Sequence, residues 1–530
     1  MFIKRTRGGS KEKPIYYLQL VQSYRDESGK PKHRVICTLG REEDLINSGT
    51  IDSLAQKFAE LSDKFILLDK EKDSLGYTYL LGPLLIWDTL WKRLGIEEIL
   101  NQVKKNYHIQ FNFSKAVKLM VFNRLMDPQS KLSITRWKEK LYGQEFQEVE
   151  LQHLYRALDL LAENKEKIEK RLGKRTLTLF KPEVKLVFYD LTTIYFESQI
   201  VDDLRRFGYS KENRTDCTQV VMGLVLSDHN IPLGYELFPG NTWEGHTVGK
   251  VIQKLKRDFS LDKVILVGDK GILSKNTLEE IEKAGCEYIV SAKLPKLKKK
   301  YEDEILDRDS YTPVNEDLRV KEMEVEGKRV ILGYSEKRRA RDEEIRKALL
   351  EKLEKRIGEK SSSQLVKPSY RKYVKFKEWE VEIDQKKVEE ASLWDGYFGY
   401  YTSNQELTPE EVIGAYKLLW QIEESFRCMK STLDIRPVYH WTPKRIQGHI
   451  MLCFLSFYIL RVMQYELKEK GLDIPIERVM ESLDEIRAVE IIDRNKRFLV
   501  RTAIENDNAQ IFRALGIKIP KFILSETVVE

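Results

Sequence analysis

Between residues 184 and 290 the hydrophobic pattern runs in short apolar, β-branched bursts separated by helical stretches, and this succession constrains the fold more than any other feature. Residues 184–189 and 220–226 read as buried strands, and 233–237 alternates like a third beside them. A helix near 246–259, a strand at 264–267, a helix at 274–284 and a strand at 288–290 follow. Three strands, a helix, a strand, a helix and a strand describe a mixed α/β core.

The flanking sequence has other periods. Residues 14–39 alternate around a Glu27-Ser28-Gly29-Lys30 turn, which predicts a β-hairpin in an N-terminal region over 1–50. Residues 51–180 predict a helical, DNA-binding domain, with segments at 52–64, 80–94, 114–127, 130–142 and 152–172. The core is expected over 181–292 and 402–470. It is interrupted over 293–401 by a lysine-rich insertion with a charged helix at 336–357, a Ser361-Ser362-Ser363 linker and a strand-like stretch at 379–383. Helices at 408–433 and 443–468 close the core, and 471–530 is expected to serve dimerisation or DNA contact.

Composition narrows the class without naming a partner. With 42% hydrophobic and 33% charged residues the chain has enough apolar content for packed cores, unlike a disordered one. A net charge of +7, from 91 basic against 84 acidic residues, permits DNA binding without requiring it. Cys37, Cys217, Cys286, Cys428 and Cys453 are scattered without a CxxC pair, which argues against a disulfide framework or a zinc knuckle. The basic start runs into Gly8-Gly9-Ser10 rather than an apolar signal segment. The longest apolar stretch, 450–460, falls well short of the ~20 residues of a membrane span, so it is expected to be a core helix of a cytoplasmic protein.

Two acids end strands: Asp190 after the first apolar run and Asp269 after the fourth. Either alone is as readily a turn or N-cap residue. Two of them at strand ends in one sheet point instead to a crevice where ligands bind. A third acid, Glu423, lies in the 416–430 helix. Steps of about 100° per residue place Leu419, Glu423, Arg427 and Lys430 within roughly 80° of one another, beside an apolar stripe of Leu418, Ile422, Phe426, Met429 and Leu433. A solvated ion-pair face is the ordinary explanation of such a helix. An acid bordering a packed stripe is costly unless a metal or a base pairs with it.

Tyr416, Glu423 and Lys430 have the spacing of the Tyr-Arg-Glu-Lys signature of transposases in the insertion-sequence-four superfamily, which this chain resembles; Leu419 stands at the arginine position. The Asp190 segment, residues 240–244, Val267-Gly268-Asp269-Lys270-Gly271, residues 433–440 and Ile446-Gln447-Gly448-His449 resemble that family too. The resemblance implies an RNase H-like mixed sheet with a β-rich insertion between the second Asp and the Glu. The spacings accommodate it, with 79 residues from Asp190 to Asp269 and 154 from Asp269 to Glu423.

It further implies a DNA transposase. Asp190, Asp269 and Glu423 would be its catalytic residues and the ligands of two Mg²⁺ or Mn²⁺ ions, with Asp190 bridging both. Tyr416, Lys430 and Arg427, the last in place of the family's arginine, would contact DNA. The partners would be double-stranded transposon ends and target DNA, with a homodimer on paired ends and no membrane. Trp379 or Trp394 could stack on a flipped base, core packing being the more ordinary use. Lys293 to Lys300 could follow a phosphate backbone. Asn123-Arg124-Leu125, Ser130-Lys131-Leu132 and Arg136-Trp137-Lys138 could meet the terminal repeat, while His246, His440 and His449 have no zinc spacing. The alternatives are a metal-dependent nuclease of the same fold, a non-mobile DNA-binding protein and a carboxylate-pair glycosidase; the last would not need Lys430 and Tyr416 beside the acid.

Overall fold

The computed structural model describes residues 1–11, 13–61, 74–180, 186–209, 214–243, 247–259, 264–269, 274–297, 299–358, 370, 372–377, 380–493 and 496–528. In chain order the strands are β1 (Phe2–Gly9), β2 (Pro14–Arg25), β3 (Pro31–Arg41), β4 (Ser74–Leu80), β5 (Leu186–Tyr195), β6 (Gln219–Ser227), β7 (Pro232–Pro239), β8 (Ile265–Gly268) and β9 (Glu287–Ser291). There follow β10 (Thr312–Pro313), β11 (Leu318–Val325), β12 (Lys328–Ser335), β13 (Val374–Lys377), β14 (Glu380–Ile383), β15 (Tyr397–Thr402), β16 (Arg487–Asp493), β17 (Lys496–Arg501) and β18 (Ile523–Val528).

The chain divides into two compact units, one of residues 1–78, 489–501 and 521–530, the other of residues 79–488 and 502–520. In the first, β2 and β3 form the expected hairpin. Its turn is fixed by the Asp26 carboxylate, which accepts from the Ser28 and Lys30 amides at 3.0 Å each. The basic N-terminal segment, expected only to lack a signal sequence, is itself strand β1 and pairs along β2 from Phe2↔Val21 to Gly9↔Pro14. Strands β4, β16, β17 and β18 make a separate sheet, so part of the C-terminal region folds with the N-terminal residues.

The second unit is built on a nine-stranded sheet in the order β10-β11-β12-β15-β9-β8-β5-β6-β7. Strands β5, β6 and β7 are antiparallel; β8 lies parallel to β5 and β9 parallel to β8. This is the RNase H-like order: a three-stranded meander whose first strand is flanked by two parallel strands delivered through helices, here Val248–Phe259 and Lys275–Lys283. Those helices cover one face. Val187, Tyr189 and Leu191 of β5 pack with Leu266, Val251, Ile252, Leu278 and Ile281, each such burial contributing roughly 1.5–3 kcal/mol.

Behind the sheet, helix Pro443–Glu469 is the core of the helical half, with its apolar run from Ile450 to Leu460 buried throughout, as the sequence suggests. It packs against helix Leu151–Glu163 so closely that a Cβ at Gly448 would stand 2.1 Å from the Leu158 carbonyl oxygen. The expected single helix over 152–172 is two. Asn164 ends the first, its amide donating to Leu160 O at 3.0 Å and to Tyr107 Oη at 2.9 Å, which competes with helix continuation. A buried ion network ties helix Lys165–Phe180 to the sheet: Lys254 meets Glu169 at 2.6 Å and Glu236 at 2.8 Å, and Glu169 accepts the Tyr235 amide at 3.0 Å.

The insertion is not wholly an appendage. Its strands β10, β11, β12 and β15 continue the central sheet past β9, where Tyr400 pairs with Ser291, so an otherwise open edge is covered. Helix Glu336–Gly358 and the β13–β14 hairpin form a smaller cluster around Leu353, Tyr373 and Val374. Trp394 is half-buried against Tyr334 and Tyr397, the core-packing alternative. Trp379, Ser361 to Ser363, Lys298 and His246 lie outside the described residues.

Candidate active site

Strand pairing sets the first two acids. Phe188 of β5 pairs with Val267 of β8, an offset of 79 residues, and 79 residues also separate Asp190 from Asp269. The same register continued by two residues sets the acids side by side on neighbouring parallel strands, which run about 4.8 Å apart. Alternation places Asp190 opposite the face of Val187, Tyr189 and Leu191, and Asp269 opposite that of Leu266. Both therefore leave the sheet on the side away from the two crossover helices. Asp190 is half-buried and Asp269 exposed.

The expected continuous helix over 408–433 is two helices, Pro409–Lys417 and Trp420–Ser431. Between them the backbone bonds tighten to three-residue spacing: Leu418 and Leu419 donate to Ala415 and Tyr416, and Gln421 and Ile422 to Leu418 and Leu419. Tyr416 and Glu423 thus stand on different helices, which removes the shared face assigned to them. Pro409–Lys417 is capped by a reciprocal Thr408–Glu411 box and packs on β8, β9 and β12. The Tyr416 hydroxyl reaches Asp269 Oδ1 at 3.4 Å, and its ring lies 4.2 Å from that of Tyr400. Burial, then the Asp269 charge, pushes the Tyr416 phenol well above its usual range, so it remains a donor.

Helix Trp420–Ser431 packs on β5 through its buried face of Ile422, Ser425, Phe426 and Met429. Glu423 is exposed, whereas Glu424 is drawn into an ion pair with buried Arg461 at 2.8 Å. Leu419, at the family's arginine position, is buried. Arg427 is exposed and opens on a cleft of about 660 Å³ that it shares with Asp228, Asn230, Trp420 and Glu424, and Lys430 is half-buried.

An all-carboxylate donor set from separate elements suits hard divalent cations. Two of its members are juxtaposed by the sheet. The third is not closed onto them: among the described residues, no group of three or more His, Cys, Asp or Glu side chains stands close enough to hold a metal. Each close pair of carboxylates repels by about 1–4 kcal/mol at 4 Å in polar surroundings, so convergence of all three requires a cation to offset it. Lys270 and Gly271, beside Asp269, lie outside the described residues. Two supporting residues were missed in the sequence, Tyr400 and Arg461. The second left a signal, a lone cation inside the apolar run 450–463 that demands a buried partner.

A family model described as the transposase DDE domain matches residues 184–459, and one described as the N-terminal domain of IS1634 family transposases matches residues 3–67. No curated relative matches in sequence. Among solved structures, a piggyBac transposase synaptic complex with hairpin DNA is similar over 76% of this chain and 79% of that one, with 9% identity and a TM-score of 0.38. A Mos1 transposase paired-end complex with the left transposon end is similar over 34% of this chain and 60% of that one, with 14% identity and a TM-score of 0.15. A Mos1 mariner paired-end complex with Mn is similar at 14% identity and a TM-score of 0.14.

Proposed function

This chain belongs to the DDE transposase family and is a DNA transposase of an insertion sequence, and we propose that Asp190, Asp269 and Glu423 are the acids at which it cuts and joins DNA. The observation that carries this reading is the shared register of Asp190 and Asp269 on β5 and β8, within the matched domain. Asp190 would hold both of two divalent ions, Mg²⁺ or Mn²⁺, with Asp269 and Glu423 holding one each. Such ions lower the pKa of an attacking hydroxyl and offset charge on the leaving oxygen.

The protein's own groups supply position. Asp190 is fixed by a strand paired on both sides, and Asp269 by its strand end and the Tyr416 hydroxyl. Glu423 rides on a helix that docks on β5, so a change of its side-chain rotamer brings its carboxylate toward Asp190 without unpacking Ile422 or Phe426. Arg427 and Lys430 on that helix, with Tyr416 before it, would meet DNA phosphates near the cut.

In the first step water attacks the phosphorus at the transposon end, and the 3′ oxygen leaves. In the second the freed 3′-hydroxyl attacks a target phosphodiester and expels its 3′ oxygen. Two copies would act together when two ends are paired, inside the cell on double-stranded DNA. Incubating the full chain with Mg²⁺ and a duplex containing the DNA that flanks the coding region tests this. Joined strand-transfer products are expected; cutting with no joining under any metal would replace the transposase mechanism with a nuclease one.

A further inference from the structure

Away from the three acids, the second unit buries positive charge that the chemistry above does not use. Lys131, at the start of helix Lys131–Trp137, is 5% exposed, and Arg124, near the end of helix Phe113–Met126, is also 5% exposed. The two repel each other, and both act on His440 and His449. Arg124 spends one nitrogen on the Asp434 and Leu433 carbonyl oxygens at 3.0 and 3.3 Å, while its Nε is buried without a partner. Lys131 has no hydrogen bond or ion pair among the described residues. The nearest carboxylate, Asp434, stands 3.9 Å from Arg124 with its side chain 55% exposed.

The histidines cannot balance this charge. His449 Nε2 lies 3.2 Å from the Ile435 carbonyl oxygen and so carries the proton there, leaving Nδ1 buried and unpartnered. Burial, then the Arg124 and Lys131 charges, holds His449 well below the ordinary histidine range; burial and the same cations hold His440 down to about 4. Both are neutral, with rings 5.3 Å apart. Two buried cations facing two neutral imidazoles and one half-exposed carboxylate is an arrangement that costs several kcal/mol unless an anion shares the site.

The rim of this cluster is aromatic. Tyr439 and Trp441 flank His440, each 73% exposed, on the segment joining the Glu423 helix to helix Pro443–Glu469. That segment is pinned to the catalytic sheet: Arg205 donates to the Trp441 carbonyl oxygen at 3.0 Å, and Arg436 lies 5.1 Å over the ring of Tyr195, the last residue of β5. Exposed rings beside a cationic pocket form the combination that holds a nucleic-acid strand, charge on phosphate and ring on base.

We propose that Arg124, Lys131 and His440 form a pocket for one phosphate of the DNA backbone, with Tyr439 and Trp441 packing on the adjoining nucleotide. The phosphate chemistry rests on the cluster itself; its assignment to DNA rests on the transposase reading above. The pocket positions the strand and takes no part in bond breaking.

The test uses the full chain, a labelled duplex from the DNA flanking the coding region, and a salt titration of its affinity. Lys131→Met removes a buried charge while keeping the stem, so thermal stability should stay level or rise. Binding should weaken about ten-fold, and the slope of log affinity against log salt should fall by roughly 0.9, the loss of one phosphate contact. Lys131→Arg should restore the slope. Tyr439→Ala and Trp441→Ala, at exposed positions that leave folding intact, should each weaken binding roughly five-fold or more.

A Lys131→Met protein with the wild-type slope and affinity overturns the proposal. So does a result in which inorganic phosphate stabilises only the wild type while the DNA slope is unchanged, because the pocket would then serve free phosphate. If Lys131→Met does not fold, unchanged binding by both aromatic variants overturns it. Asp269→Asn is the control, expected to bind like wild type without cutting. Should Asp269→Asn still cut, the catalytic assignment fails while the slope still reports on the pocket.

Discussion

Asp190 and Asp269 share one strand register: the offset that pairs Phe188 with Val267 also pairs the two acids, and both project from the face opposite Tyr189 and Leu266. Their proximity is therefore a property of the sheet rather than of a flexible loop. Asp190→Asn or Asp269→Asn should lower cleavage on the order of a thousand-fold or more, as expected when a ligand of catalytic cations is lost. Affinity for end DNA should change little. A gel assay of nicking beside a binding titration reads both quantities.

Adjacent glutamates should behave oppositely. Glu424 pairs with Arg461, which is 4% exposed, so Glu424→Gln strands a buried cation and should cost about 3 kcal/mol of stability. Glu423 is exposed, and Glu423→Gln should leave the melting temperature within about 1 °C while abolishing cleavage. Thermal melts and nicking assays on the two variants separate them.

Tyr416→Phe keeps the ring against Tyr400 and removes only the donor to Asp269. Stability should change by less than about 1 kcal/mol. Cleavage should fall roughly ten-fold through loss of Asp269 positioning, and Tyr416→Leu, which also loses the ring contact, should fall further. Single-turnover cleavage rates at saturating metal check the order.

The buried network of Lys254, Glu169 and Glu236 sets a pH window for folding. Burial opposes the Glu236 carboxylate, but Lys165 and Lys254 outweigh it and hold Glu236 below the ordinary 4.5, so its contribution is present above pH 4.5 and is lost as pH falls through the lowered value. Burial likewise opposes the Lys254 ammonium, but Glu169 and Glu236 raise it above the ordinary 10.5, so its contribution is lost only above that pH. The stability difference between wild type and Glu236→Gln should shrink from about pH 7 to about pH 3, as denaturant melts would show.

The parts legible in the sequence were those with a strong local period. Continuous apolar runs marked β5, β6 and β8, and the acids ending two of them marked the crevice. What was not legible depended on partners far along the chain. β1 reads as a basic tail until β2 pairs it, and β15 joins β9 across more than a hundred residues. The break at Leu418 and Leu419 is invisible to a 3.6-residue period because both residues fit the apolar stripe; only tightened backbone bonds reveal that Tyr416 and Glu423 ride on separate helices. The Lys131 and Arg124 pocket was equally hidden, since both cations sit on helices that look solvent-facing until residues 433–440 fold over them.

The convergence of Glu423 on the two aspartates is tested most directly by replacing the divalent ions with Fe²⁺ in the DNA-bound protein and mapping backbone cuts made by locally generated hydroxyl radicals. Cuts clustered beside residues 190, 269 and 423, and suppressed by excess Mg²⁺, are expected. Cuts beside 190 and 269 with none near 423 would contradict the three-acid site.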